Sequence, residues 1–142
     1  MQVSFPGGKV DPSDRDEEHT ALRETHEEVG LPPERVTVLG LLPDAIARNG
    51  GNGRETVVTP IVGYVGSLQE LSLTPNESEV EYVFTVPVAR LRDAACRDTF
   101  KGTPRFLMNE PDDHIWGFTG YVLSRFLKSV DDFEGPMKEE RR

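Results

Sequence analysis

An α/β fold is expected from this chain of 142 residues, because one strongly signalled helix is followed by short β-branched segments and then by an amphipathic stretch. The first helix spans about Asp16 to Val29. The amphipathic stretch, Gly120 to Val130, sets Val122, Phe126 and Val130 at helical spacing with Leu123 and Leu127 beside them. Between the two lie "VTVLGLL", "TVVTPIVGYV" and "VEYVFTV", each of strand length and rich in β-branched residues. The length favours one domain over residues 1–130, followed by a polar tail over 131–142.

Each element has a local cause. Asp14, with Glu17 three residues on, reads as a capping box for the first helix. Asp14, Asp16, Glu17 and Glu18 suit the positive end of its dipole. Gly30 then suits the position past the last turn, and Pro32–Pro33 prevents continuation. Strands are predicted over Val36–Leu42, Thr56–Val65 and Val80–Val86, with Pro60 marking a bulge or an edge. Asp44–Arg54 reads as a glycine-rich loop and Leu73–Ser78 as a turn. Beyond Pro87 a short helix is predicted over Val88–Cys96, then short strands over Arg105–Met108 and His114–Phe118.

Sixteen basic residues stand against 25 acidic ones, a net charge of −9. That field argues against nucleic acid or an anionic membrane as partner. No apolar run approaches the ~20 residues of a membrane span. Cys96 is the only cysteine, which excludes an internal disulfide or a cysteine zinc cluster and suits a reducing compartment. The start "MQVSFPGGKV" reads as neither a signal nor a transit peptide, and the end "KEERR" is no peroxisomal address, so cytoplasm is one expected location.

The chemistry is concentrated in "FPGGKVDPSDRDEEHTALRETHEEVGL", Phe5 to Leu31. Glu24, Glu27 and Glu28 fall within a sector of roughly 100° of the helix, while Ala21, Leu22, Thr25 and Val29 occupy the adjoining face. Two carboxylates ~6 Å apart repel by about 3 kcal/mol at an effective dielectric of ~20. Bound Mg²⁺ or Mn²⁺ turns that repulsion into attraction, since hard cations take oxygen ligands. Against this stands the ordinary case, a solvated acidic face in which Arg23 merely pairs with Glu27. Gly7 and Gly8 leave amides free for an anion, and Lys9 can offset a phosphate, although each is common in plain turns.

Taken together, the glycine pair, acidic turn and "RETHEEVGL" resemble the box of the Nudix family, G-x5-E-x7-R-E-U-x-E-E-x-G-U with U apolar. Thr25 stands where an aliphatic residue is usual. Gly8 to Arg23 is one residue longer than the pattern, which leaves Asp14, Arg15 and Asp16 nearest to the first glutamate's position. The extended turn and "TALRE" are similar to the coenzyme A diphosphatase subgroup, nearest in flavour to the mitochondrial enzymes of animals. The likeness continues through "VTPIVGYV", "NESEVEYVFTVPV" and "HIWGFTGYVL".

The resemblance implies a mixed β-sheet between helices, with one or two strands that normally precede Gly7 missing here. It implies hydrolysis of the diphosphate in coenzyme A or its thioesters, giving 3′,5′-ADP and a 4′-phosphopantetheine species, in mitochondria. Glu27 and Glu28 are the expected metal ligands, Glu24 a third ligand or the group orienting water, and Arg23 a residue that orients a glutamate. Glu79 is a further expected ligand, in competition with Glu77 and Glu81. Two other readings stay open: another nucleoside-diphosphate substrate such as ADP-ribose, or a non-catalytic binding form. His19, His26, His114, Trp116, Phe118 and Tyr121 are expected to pack or meet solvent, although the aromatics could line a base or pantetheine pocket.

Overall fold

A computed structural model describes residues 2–48 and 54–139, the side chains of 112 and 134–139 excepted. Its contacts divide the chain into two units, Phe5–Thr85 and the combination of Met1–Ser4 with Val86–Arg142.

The unit Phe5–Thr85 begins with the acidic turn and helix α1, Glu17–Val29. Asp16, in extended backbone, caps it by accepting the His19 N–H at 2.8 Å. The capping box expected at Asp14 is therefore two residues early; Asp14 is turned inward instead, as described below. Gly30 ends the helix at φ 72°, and its N–H returns to the His26 carbonyl. A Cβ on Gly30 would lie 2.8 Å from the Thr74 carbonyl oxygen, so this glycine serves both a left-handed turn and a close crossing of the chain.

Strands β1 (Thr37–Leu41) and β4 (Ile61–Tyr64) pair antiparallel, with Leu39 bulged out of register. Strands β2 (Ala45–Arg48) and β3 (Glu55–Val58) form a second antiparallel pair. β2 occupies part of the stretch expected to be loop; the rest of that loop, residues 49–53, lies outside the described residues. The single strand expected over Thr56–Val65 is divided at Thr59–Pro60, where proline has no N–H for a ladder. Its carbonyl still accepts the Leu42 N–H at 2.9 Å. Val80–Val86, expected as a strand, has no ladder partner among the described residues and runs as irregular chain. Leu31, Leu42 and Ala45 are buried here.

In the other unit, α2 (Val88–Arg92) and a 3-10 turn, Ala94–Cys96, replace the one short helix expected there. Strands β5 (Arg97–Phe100) and β6 (Thr103–Phe106) make a hairpin with Lys101 and Gly102 at its tip. Of the strand expected over His114–Phe118 only a bridge from Ile115 to Phe106 forms, because helix α3 (Gly117–Glu139) has already begun. α3 also continues beyond Val130, where a frayed segment was expected. Its apolar stripe supplies Leu123 and Leu127 to a core with Leu91, Phe106 and Ile115. Gly120 is forced by packing, since a Cβ there would meet the Pro104 carbonyl at 2.3 Å. The α+β class is thus met, with every described ladder antiparallel and two-stranded.

Candidate functional site

α1 and the turn before it form a continuous polar assembly. The Asp14 side chain is fully buried, at 0 % exposure. Its carboxylate accepts from Arg23 Nε at 3.0 Å and Arg23 Nη2 at 3.0 Å, from Thr20 Oγ1 at 2.9 Å and from the Asp11 N–H at 2.9 Å. His19 Nδ1 lies 2.9 Å away. Hydrogen bonding from the Arg23 guanidinium, first among these effects, holds Asp14 well below the usual carboxylate range; Asp14 in turn pushes Arg23 up. The ring of His19 is thus engaged with Asp14 rather than free in solvent.

Arg23 distributes its remaining donors over the glutamates. Nη1 reaches Glu27 Oε2 at 3.1 Å, while Nη2 lies 3.2 Å from Glu24 Oε1 and donates to the Lys9 carbonyl at 3.1 Å. Glu27 is 55 % exposed and Glu24 only 17 %. The Glu24 carboxylate lies against Gly8 so closely that a Cβ there would be 2.2 Å from Oε1. Gly8 is accordingly needed for close approach, and the group approaching it is a carboxylate of α1.

Glu28 lies deeper. Burial pushes its carboxyl up, against a hydrogen bond from the Gly7 N–H, and the negative fields of Glu24, Glu79 and Glu27 add to the rise. Glu79 comes into that field through the chain crossing at the end of α1. The Thr74 N–H donates to the Val29 carbonyl at 2.9 Å and the Asn76 N–H to the Glu28 carbonyl at 2.8 Å. The Glu79 and Val80 N–H groups then close a turn on the Asn76 carbonyl. Of the three glutamates considered in this segment, Glu79 is one whose charge contributes to the rise at Glu28.

The donor set suits a hard divalent cation. It consists of carboxylate oxygens, and the ionised form of Glu28 is disfavoured by burial and by like charges, which a cation reverses. Among the described residues no three such side chains converge tightly enough to cage a metal alone. Mg²⁺ is ordinarily held by one or two carboxylates with waters and substrate phosphates in the other positions, and this looser arrangement suits that mode.

The structure therefore brings Gly7, Gly8, Arg23, Glu24, Glu27, Glu28 and Glu79 together, with Lys9 present through its backbone. The aromatics singled out from sequence belong to the other unit. Trp116 stacks edge-on against Phe100 at 5.2 Å, with the Lys101 ammonium over both rings. The Tyr121 hydroxyl accepts from Arg125, and His114 Nδ1 accepts the Met108 N–H. What sequence reasoning missed is Asp14 as the partner of Arg23. The signal was its position among the acids nearest the pattern's first glutamate, obscured because an Asp before a helix also reads as a cap.

The fold is thus α+β, and its first helix carries its carboxylates behind a glycine turn. The NUDIX domain model matches residues 1–106, and the chain belongs to the Nudix family. It is 40 % identical over 134 residues to the mitochondrial coenzyme A diphosphatase NUDT8 of Homo sapiens, covering 89 % of this chain and 54 % of that protein. It is 45 % identical over 137 residues to the uncharacterized Nudix hydrolase NudL of Pectobacterium atrosepticum, covering 92 % of this chain and 68 % of that one. Against the peroxisomal coenzyme A diphosphatase NUDT7 of Mus musculus the identity is 44 % over 87 residues, 61 % of this chain and 34 % of that protein. The chain thus spans little more than half the length of the NUDT8 relative. Among the described residues no helix is long and apolar enough to cross a membrane.

Proposed function

We propose that this chain hydrolyses the diphosphate linkage of coenzyme A or its thioesters, releasing 3′,5′-ADP and 4′-phosphopantetheine or its acyl form, in a reaction dependent on Mg²⁺ or Mn²⁺. The observation that carries the reaction class is the Glu28 carboxylate, pushed up by burial and by Glu24, Glu79 and Glu27, beneath the Gly7–Gly8 turn. The substrate follows the names of the NUDT8 and NUDT7 relatives. A mitochondrial location belongs to the same reading, by the name of the NUDT8 relative.

A divalent cation bound there supplies charge neutralisation at the phosphoryl oxygens and lowers the pKa of a bound water. Glu27 and Glu28 are the ligands from α1, and Glu79 is the ligand from the crossing segment. Glu24, held between Arg23 and Gly8, is a third ligand or orients the attacking water. Arg23 orients carboxylates, consistent with its three acidic neighbours. The Gly7–Gly8 backbone and the Lys9 ammonium face the diphosphate.

The test is a panel of coenzyme A, acyl-coenzyme A and ADP-ribose with Mg²⁺ or Mn²⁺, read by mass spectrometry. Formation of 3′,5′-ADP from the first two supports the proposal. Turnover of ADP-ribose alone replaces the substrate. Metal uptake without any product leaves a binding protein.

A further inference from the structure

We infer that Asp14 is a positioning residue whose task is to keep Arg23 from neutralising the carboxylates that receive the cation. The inference rests on the reading of α1 as a divalent-metal site. A guanidinium offers a carboxylate two fork edges, Nη1 with Nη2 and, along its side, Nε with Nη2. Asp14 occupies the side edge at 3.0 Å on both nitrogens. Glu24 and Glu27 receive only what is left over, a single nitrogen each at 3.2 and 3.1 Å.

The grip is built to hold. The Asp14 side chain has 0 % exposure, and its other bonds come from Thr20, His19 and the Asp11 backbone, so the fork is anchored from the turn and from the first turns of α1. Without Asp14 the same edge of Arg23 is free to close on Glu24 or Glu27, one and four residues away on the same helix. A carboxylate paired in that way has its charge offset and two of its lone pairs engaged, so it is a poorer ligand for a hard cation.

This differs from a purely structural role in what a second mutation does. Asp14→Asn leaves Arg23 charged and its fork edge weakly held, so Mn²⁺ affinity should fall about 10- to 100-fold, the usual range for groups that orient metal ligands. Asp14→Asn with Arg23→Gln removes the competing cation, and affinity should return to within about threefold of wild type, a coupling that only interacting sites show. Arg23→Lys is an independent probe: a point charge cannot be held by a fork, so it should weaken Mn²⁺ binding even with Asp14 intact.

Mn²⁺ titration calorimetry on the full chain, with circular dichroism to confirm folding, decides the matter. Wild-type affinity in Asp14→Asn overturns the inference, as does a double variant no better than the single one. Should Asp14→Asn fail to fold, undiminished Mn²⁺ binding by Arg23→Lys overturns it instead. If the wild-type chain itself takes up no Mn²⁺, the metal reading fails, and this inference with it.

Discussion

Replacing Gly8 by alanine should separate activity from stability, because the space for its methyl group is filled by a catalytic candidate and not by backbone. The new Cβ would stand 2.2 Å from Glu24 Oε1, 2.5 Å from Cδ and 2.8 Å from Oε2. Ordinary contact begins near 3.4 Å, so the Glu24 carboxylate must retreat by about 1 Å or rotate away. As the end of a flexible side chain it can do so cheaply. Glycine to alanine at a backbone conformation open to both also removes freedom from the unfolded chain, worth roughly 0.4–1 kcal/mol in favour of the fold. The melting temperature should therefore stay within ~3 °C of wild type. Function should not escape: a misplacement of ~1 Å in a catalytic constellation costs on the order of 100-fold. The assay is initial-rate release of 3′,5′-ADP from coenzyme A at saturating Mg²⁺, beside a thermal melt of the same preparation. Wild-type kcat in Gly8→Ala would falsify the placement of Glu24 in the mechanism, and a collapse in Tm would show that the clash is not relieved at the carboxylate.

Three further outcomes follow from the same geometry. Glu28→Gln should lose turnover by at least ~10³-fold while stabilising the metal-free fold at neutral pH; the raised carboxyl contributes fully to stability below its unfolded value of 4.5 and loses that contribution as pH rises through the folded one, so the gain should fade towards pH 4.5 in paired melts. Gly30→Ala meets both a left-handed φ of 72° and the Thr74 backbone at 2.8 Å; a loss of about 1–3 kcal/mol in denaturant titration, with weakened Mn²⁺ binding through displacement of the Glu79 segment, is the expected pair of results. Leu127→Ala empties a core position only 2 % exposed and should cost about 2–5 kcal/mol in the same titration, an effect that an unchanged midpoint would contradict.

The parts of this protein that were legible in its sequence are those fixed locally. α1 was bounded correctly to within a residue because the acidic start, the glycine stop and the following prolines act on the nearest turns. The sector of Glu24, Glu27 and Glu28 followed from helix geometry alone. Strands were read less well, because a strand exists only through its partner. Val80–Val86 has the composition of a strand and no ladder among the described residues, whereas Ala45–Arg48 lacks that composition and pairs with Glu55–Val58. β5 went unseen because "RDTF" has little apolar character; its hairpin is fixed by a tight tip and by Asp98–Arg105 pairing across the strands. That Glu79 lies in the field of Glu28 follows from a backbone crossing, Thr74 and Asn76 onto the end of α1, which no spacing rule reveals.

Asp14 shows why a motif with irregular spacing can still close. Counted forward from Gly8 the pattern's five spacers lead to Asp14, while counted back from Arg23 its seven lead to Arg15, so the one extra residue lies between Asp14 and Arg23. The physical requirement is weaker: a carboxylate must arrive in the plane of the Arg23 guanidinium, with its other lone pairs satisfied and water excluded. The Asp11–Asp14 turn meets that requirement by folding back on itself, the Asp11 N–H donating to Asp14 and the Asp14 N–H to the Asp11 carbonyl. The extra residue falls after that turn, and α1 is capped two residues beyond Asp14 by Asp16. Two aspartates thus divide what was expected of one, Asp16 capping the start of the helix and Asp14 holding the arginine. That division lets the connection lengthen without disturbing the carboxylate stripe, whose geometry depends on α1 and on Gly8 but not on the number of residues between them.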